Sequence, residues 1–111
     1  MDTPYAVNQE RWSKMSIFDQ MGNISSEVGR SFNAKWHNND IDRMQAVGRA
    51  IDLFDATVTT LVANKSPKLK ELLRAKEAYL TAVFNKTNPV QDDQNLEKYF
   101  MQYAIAARLN R

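Results

Sequence analysis

The sequence has no cysteine, one histidine, three glycines and three prolines in 111 residues. Without cysteine, disulfides, thiolate metal sites and cysteine nucleophiles are excluded. A single histidine supplies at most one imidazole ligand, and no Glu-x-x-His motif accompanies Asp52 and Asp55, so no metal is expected. No glycine-rich phosphate loop or nucleophile–base motif is present, and no cofactor is expected. Long apolar runs are missing as well: no window approaches the roughly 20 apolar residues of a membrane span. Met1 to Glu10 carries neither the basic region nor the apolar core of a secretory signal, which predicts a soluble, cytoplasmic protein with no membrane contact. Charge of one sign is also scarce, with 15 basic and 13 acidic residues giving a net +2. The densest basic run, Lys65, Lys68, Lys70, Arg74 and Lys76, is interrupted by Glu71 and Glu77. It reads as a solvated helix face, and a nucleic-acid partner is not expected.

Helical periodicity is what the chain has in quantity. Met44, Val47, Ile51, Phe54, Val58 and Leu61 recur at alternating steps of three and four, the spacing of an amphipathic helix packed on other helices. The same period returns in Ile17, Met21, Ile24, Val28 and Phe32, in Leu69, Leu72, Leu73, Tyr79, Leu80, Val83 and Phe84, and in Leu96, Phe100, Tyr103 and Ala107. These stripes predict four helices: Ser16 to Trp36, Ile41 to Asn64, Pro67 to Phe84 and Asp93 to Arg108. Ser16 with Asp19 resembles an N-capping pair, Asn39 or Asp40 can cap the second helix, and Asn64 can take a left-handed C-terminal conformation. The turns at His37 to Asp40, Asn64 to Ser66 and Asn85 to Asp92 make sequential helices antiparallel. The expected fold class is therefore all-α, a four-helix antiparallel up-down-up-down bundle over residues 15–111. Residues 1–14 are an arm, disordered or laid against the body with Trp12 as its anchor.

Gly22, Ser25, Ser26 and Gly29 line one flank of the first predicted helix. Glycine in a helix interior costs about 1 kcal/mol relative to alanine, so this flank is expected to meet another helix at close range. The last helix carries a second apolar stripe, Met101, Ile105 and Leu109, nearly opposite the first. A helix apolar on two faces must be covered on two faces, which predicts a homodimer through these three residues, assisted by Trp12. Tyr99, Phe100 and Tyr103 read as core or dimer contacts rather than base-stacking groups. Arg108 and Arg111 suit the negative end of the last helix.

Two constellations bear on chemistry. Lys76 falls inside an apolar stripe, where an unpaired charge costs several kcal/mol. It must snorkel to water, or form a polar cluster with Glu27 and Asp55 able to serve as an anion site. Arg30 and His37 project from one side of the first predicted helix, two turns apart, with Asn33 between them. The pair resembles the arginine and histidine of HEPN ribonuclease domains, small dimeric helical bundles. That resemblance implies acid–base work on RNA for His37 and phosphate contact for Arg30. It departs from the family in lying at the end of the first helix and in having Ser31 after the arginine.

A wider resemblance rests on Ser26-Glu27-Val28-Gly29-Arg30, on Arg49 to Thr57, on Leu69 to Glu77, and on Tyr99-Phe100 with Ala104 to Arg108. In these segments the chain is similar to a group of small, all-helical, uncharacterised bacterial proteins, some carried as mobile or integron gene cassettes. The resemblance implies a bacterial, cytoplasmic, helical protein and adds no mechanism. The expected function is thus a non-enzymatic helical interaction or accessory protein. The enzyme alternative is a HEPN-like ribonuclease or toxin–antitoxin component using Arg30 and His37.

Overall fold

The computed structural model describes residues 7–109. Residues 1–6, and with them part of the expected arm, lie outside the described residues, as does Arg111. The chain forms α1 (Gln9–Lys14), α2 (Ile17–Trp36), α3 (Asp40–Ala63), α4 (Leu69–Phe84) and α5 (Val90–Leu109). The four long helices pack antiparallel to their chain neighbours, and α2 is central, lying between α3 and α5. Opposed contacts fix the directions: Glu27 meets Arg49, Asp55 meets Lys76, and Lys35 at the end of α2 meets Asp93 at the start of α5. Among the described residues no helix is long and apolar enough to cross a membrane.

Local signals explain most helix ends. The Ser16 hydroxyl accepts the Asp19 N–H at 3.0 Å, and the Asn39 carboxamide oxygen accepts that of Asp42 at 3.1 Å. Each satisfies a donor that the first turn leaves free. At the other ends, Asn39 N–H reaches Ala34 O at 2.9 Å and Ser66 N–H reaches Leu61 O at 2.9 Å. These are Schellman closures, which need one left-handed residue each. That residue is Asn38 (φ 55°) after α2 and Lys65 (φ 51°) after α3. The left-handed position expected at Asn64 therefore falls one residue later, on a lysine. Helix α4 starts at Leu69 rather than at Pro67. Helix α5 begins at Val90, ahead of the apolar pattern, because Pro89 O already accepts the N–H groups of Asp92 and Asp93.

The N-terminal segment is helical over Gln9–Lys14. Helix α1 packs on α3: Trp12 is buried, its indole N–H donating to Thr57 Oγ1 at 2.9 Å, and Gln9 Nε2 donates to Ala56 O at 3.0 Å. Trp12 is thus part of this chain's own core and is not offered to a second copy, which corrects its expected role at a dimer contact.

One ring from each long helix meets at the centre. Tyr79 lies 5.7 Å from Phe32, 5.9 Å from Phe54 and 6.2 Å from Phe100, centroid to centroid. All four are fully buried. Ser31 Oγ donates to Val28 O at 2.8 Å and accepts the Tyr79 hydroxyl at 2.7 Å, so the one polar atom in this cluster is satisfied. Burial pushes the Tyr79 phenol up to about 12; the Ser31 bond lowers it, and the negative charge of Glu27 raises it further.

Several stripe residues are not inside. Met44, Leu73 and Phe84 are exposed, and the inner face of α3 is carried by Ala46, Ala50, Leu53 and Thr57 alongside Val47, Phe54 and Leu61. Small side chains there let α3 approach α2. The glycine flank of α2 does meet a helix, namely α5. A Cβ on Gly22 would lie 3.5 Å from Ala104 Cα, and one on Gly29 would lie 3.2 Å from Glu97 Oε2.

Candidate functional site

The helical spacing of α2 places Glu27 on the side facing α3, where it is buried at 3% exposure. An isolated carboxylate there would be costly. It is instead held by two guanidiniums from two helices. Arg30 Nη1 donates to Glu27 Oε1 at 2.9 Å, and Arg49 Nε donates to Glu27 Oε2 at 2.8 Å. Arg30 is one turn further along α2, and Arg49 comes across from α3. Both arginines line a cleft of about 410 Å³ that also receives Asn33, His37, Asp42 and Gln45. His37 closes α2 as its C-cap residue and is exposed, with Nδ1 2.8 Å from Asn33 O. Asp42 is engaged by Asn39 Nδ2 at 2.7 Å. The expected pair of Arg30 and His37 therefore shares one cleft, with Arg49 as a third member that the sequence reading did not include.

The trio of Glu27, Asp55 and Lys76 is divided. Lys76 Nζ pairs with Asp55 Oδ1 at 2.8 Å, but at the surface: the side chains are 25% and 60% exposed. Glu27 binds the arginines instead, because Arg49 lies directly across the α2–α3 seam. The buried cluster expected between the first three long helices does not form, and Lys76 snorkels as its four-carbon stem allows. Lys76→Met is accordingly expected to change stability by less than about 1 kcal/mol, the range of an exposed pair. A urea midpoint lowered by the equivalent of about 3 kcal/mol or more would contradict this surface placement.

A second buried ionic contact lies at one end of the bundle. Lys35 Nζ lies 2.6 Å from Asp93 Oδ2, with side chains 6% and 0% exposed. Lys35 also donates to Ala82 O at 2.9 Å, while Asp93 accepts from Asn88 Nδ2 at 2.7 Å and Trp36 Nε1 at 3.3 Å. Every oxygen of Asp93 is thus partnered, and the pair ties α2, α4 and α5 together at one end of the bundle. Sequence reasoning missed it. The signal was there, since Lys35 continues the Val28, Phe32 row and Asp93 leads the Leu96, Phe100 row.

At the other end, Tyr99 and Tyr103 both donate to Glu71 Oε1, at 2.7 and 3.1 Å. Desolvation, followed by its hydrogen bonds with Tyr103 and Glu71 and the charge interaction with both, pushes the Tyr99 phenol up; Tyr103 is raised chiefly by desolvation too. Phe100 and Ala107 face the core, whereas Met101, Ile105 and Leu109 are 47%, 51% and 80% exposed. This leaves an apolar row along the outside of α5.

Comparisons with family models, curated proteins and solved structures find no match to this chain. Architecture and local geometry alone bear on its function.

Proposed function

We propose that this chain is a non-enzymatic helical interaction protein that acts as a homodimer, a cytoplasmic accessory factor of the kind carried on bacterial mobile gene cassettes. The observation that carries this reading is the row Met101, Ile105 and Leu109, three large apolar side chains in consecutive turns of α5 with at least 47% exposure each. A second copy related by a two-fold axis covers the row with the same row, the self-complementary contact of cyclic dimers. Helix α5 then has a partner on each face, the bundle core on one and its own copy on the other. Ile105 lies mid-row and is the point to break. Ile105→Glu places a carboxylate at the contact twice per dimer and is expected to weaken association by roughly a hundredfold or more. Sedimentation of both proteins checks it, and an Ile105→Glu variant that associates as tightly as the wild type refutes the reading.

A second reading rests on a different observation, that Arg30 and His37 line one cleft. It is the HEPN-like ribonuclease or toxin–antitoxin component. Mixed RNA incubated with wild type and with His37→Ala separates the two. The interaction reading expects no cleavage that depends on His37, and cleavage lost in the variant would replace it with the nuclease.

A further inference from the structure

We propose that the cleft between the end of α2 and the start of α3 is a binding site for the phosphoryl group of a small phosphate ester, held by Arg30 and Arg49 with Glu27 as the residue that positions them. Two guanidiniums repel, yet here they are drawn together from two helices by one buried carboxylate. Arg30, Arg49 and Glu27 together carry one positive charge, and Asp42, which also lines the cleft, is held by Asn39 instead of by either arginine. Glu27 takes a single N–H from each arginine, Nη1 of Arg30 and Nε of Arg49. A guanidinium carries five N–H donors. Among the described residues, the two Nη groups of Arg49 and the Nη2 and Nε groups of Arg30 have no other acceptor bonded. Arg30 is 65% and Arg49 31% exposed, so these donors are reachable from solvent.

The donor arrangement selects the ligand. A carboxylate has two oxygens and is filled by one guanidinium fork, whereas the three terminal oxygens of a phosphate monoester can take forks from two arginines at once. The cleft, about 410 Å³, is larger than phosphate alone and falls within the roughly 300–1,000 Å³ of small-molecule sites. Its remaining walls offer the side-chain amides of Asn33 and Gln45, which suit the hydroxyl groups of a sugar. Asp42 also lines the cleft, turned to Asn39, and opposes a ligand with further negative charge. The ligand class is therefore a sugar phosphate carrying one phosphoryl group. The site is independent of the α5 contact and needs no cleavage step.

The test is titration of the full chain with ribose 5-phosphate, inorganic phosphate and ribose at constant ionic strength, followed through the side-chain N–H signals of Arg30 and Arg49 by NMR. Ribose 5-phosphate is expected to shift both signals and to bind more tightly than inorganic phosphate, with ribose alone silent. Arg30→Gln, at an exposed position, is expected to keep the fold and weaken binding about tenfold, and Arg49→Gln by at least as much. Lys76→Met, which lies outside the cleft, is expected to bind as the wild type does. Shifts absent at millimolar ribose 5-phosphate, binding unaffected by Arg30→Gln, or equal shifts with chloride at matched strength would each overturn the proposal.

Discussion

Asp93→Ala is expected to destabilise the protein by about 3–5 kcal/mol, as when one partner of a buried ion pair is removed. The carboxylate is fully buried and accepts from Lys35, Trp36 and Asn88. Its loss leaves the Lys35 ammonium inside the bundle with Ala82 O as its remaining acceptor. The lysine then stays charged at high cost, or pulls the end of α2 outward to reach water. Replacing both charges reverses the logic: in Lys35→Met with Asp93→Leu no charge is left unpaired, and well-packed apolar side chains of similar size are often neutral or stabilising in place of a buried pair. The double variant is expected to recover most of the loss. Urea unfolding of the three proteins checks this, and a single variant within about 1 kcal/mol of wild type would show that the pair does not hold this end of the bundle.

Tyr79→Ala is expected to cost about 3–5 kcal/mol, because it empties the position where rings from all four long helices converge. Tyr79→Phe keeps the ring and removes only the hydroxyl bonded to Ser31, for about 1 kcal/mol at neutral pH. The stabilities of the wild type and Tyr79→Phe should then converge and cross in alkali. The folded phenol titrates near 12 against the usual 10, so in the window between them the unfolded chain has lost a proton that the folded chain retains. Deprotonation therefore favours unfolding, and the Tyr79 contribution falls by roughly 1 kcal/mol per pH unit as pH rises through that window. Tyr99 and Tyr103, also raised, act in the same sense and are present in both proteins. Stability that falls equally steeply in wild type and Tyr79→Phe would contradict the buried, proton-bound phenol.

The helices were legible because burial leaves a period in the sequence. Ile24, Val28 and Phe32 in α2, and Phe100 in α5, are buried where the apolar spacing puts them. The inner face of α3 was read less well. Ala46, Ala50 and Thr57 are small and weigh little in a hydrophobic pattern, so the large Met44 was drawn into the stripe although the seam with α2 needs small residues. Charged residues on the buried rows were the main blind spot. Lys35, Asp93, Arg49 and buried Arg43, which donates to Val83 O at 3.0 Å, all look like solvated positions until their partners on other helices are known. Lys76 shows the converse: its apolar neighbours in sequence suggested a buried charge, while its length delivers the ammonium to Asp55 at the surface. Helix α1 is six residues long, too short for any period, and Trp12 gave the sole sign that it docks. The Arg30 and His37 side of the cleft was visible as a helical row, but the Arg49 side required the α2–α3 pairing.

Assembly of the wild-type chain in solution is the property that decides between a free and a covered α5. Light scattering during size-exclusion chromatography gives its mass in solution without reference to shape. The α5 contact predicts twice the chain mass of 12.8 kDa for the wild type, falling to a single chain mass in Ile105→Glu. A wild-type protein that elutes at 12.8 kDa at every concentration would contradict it.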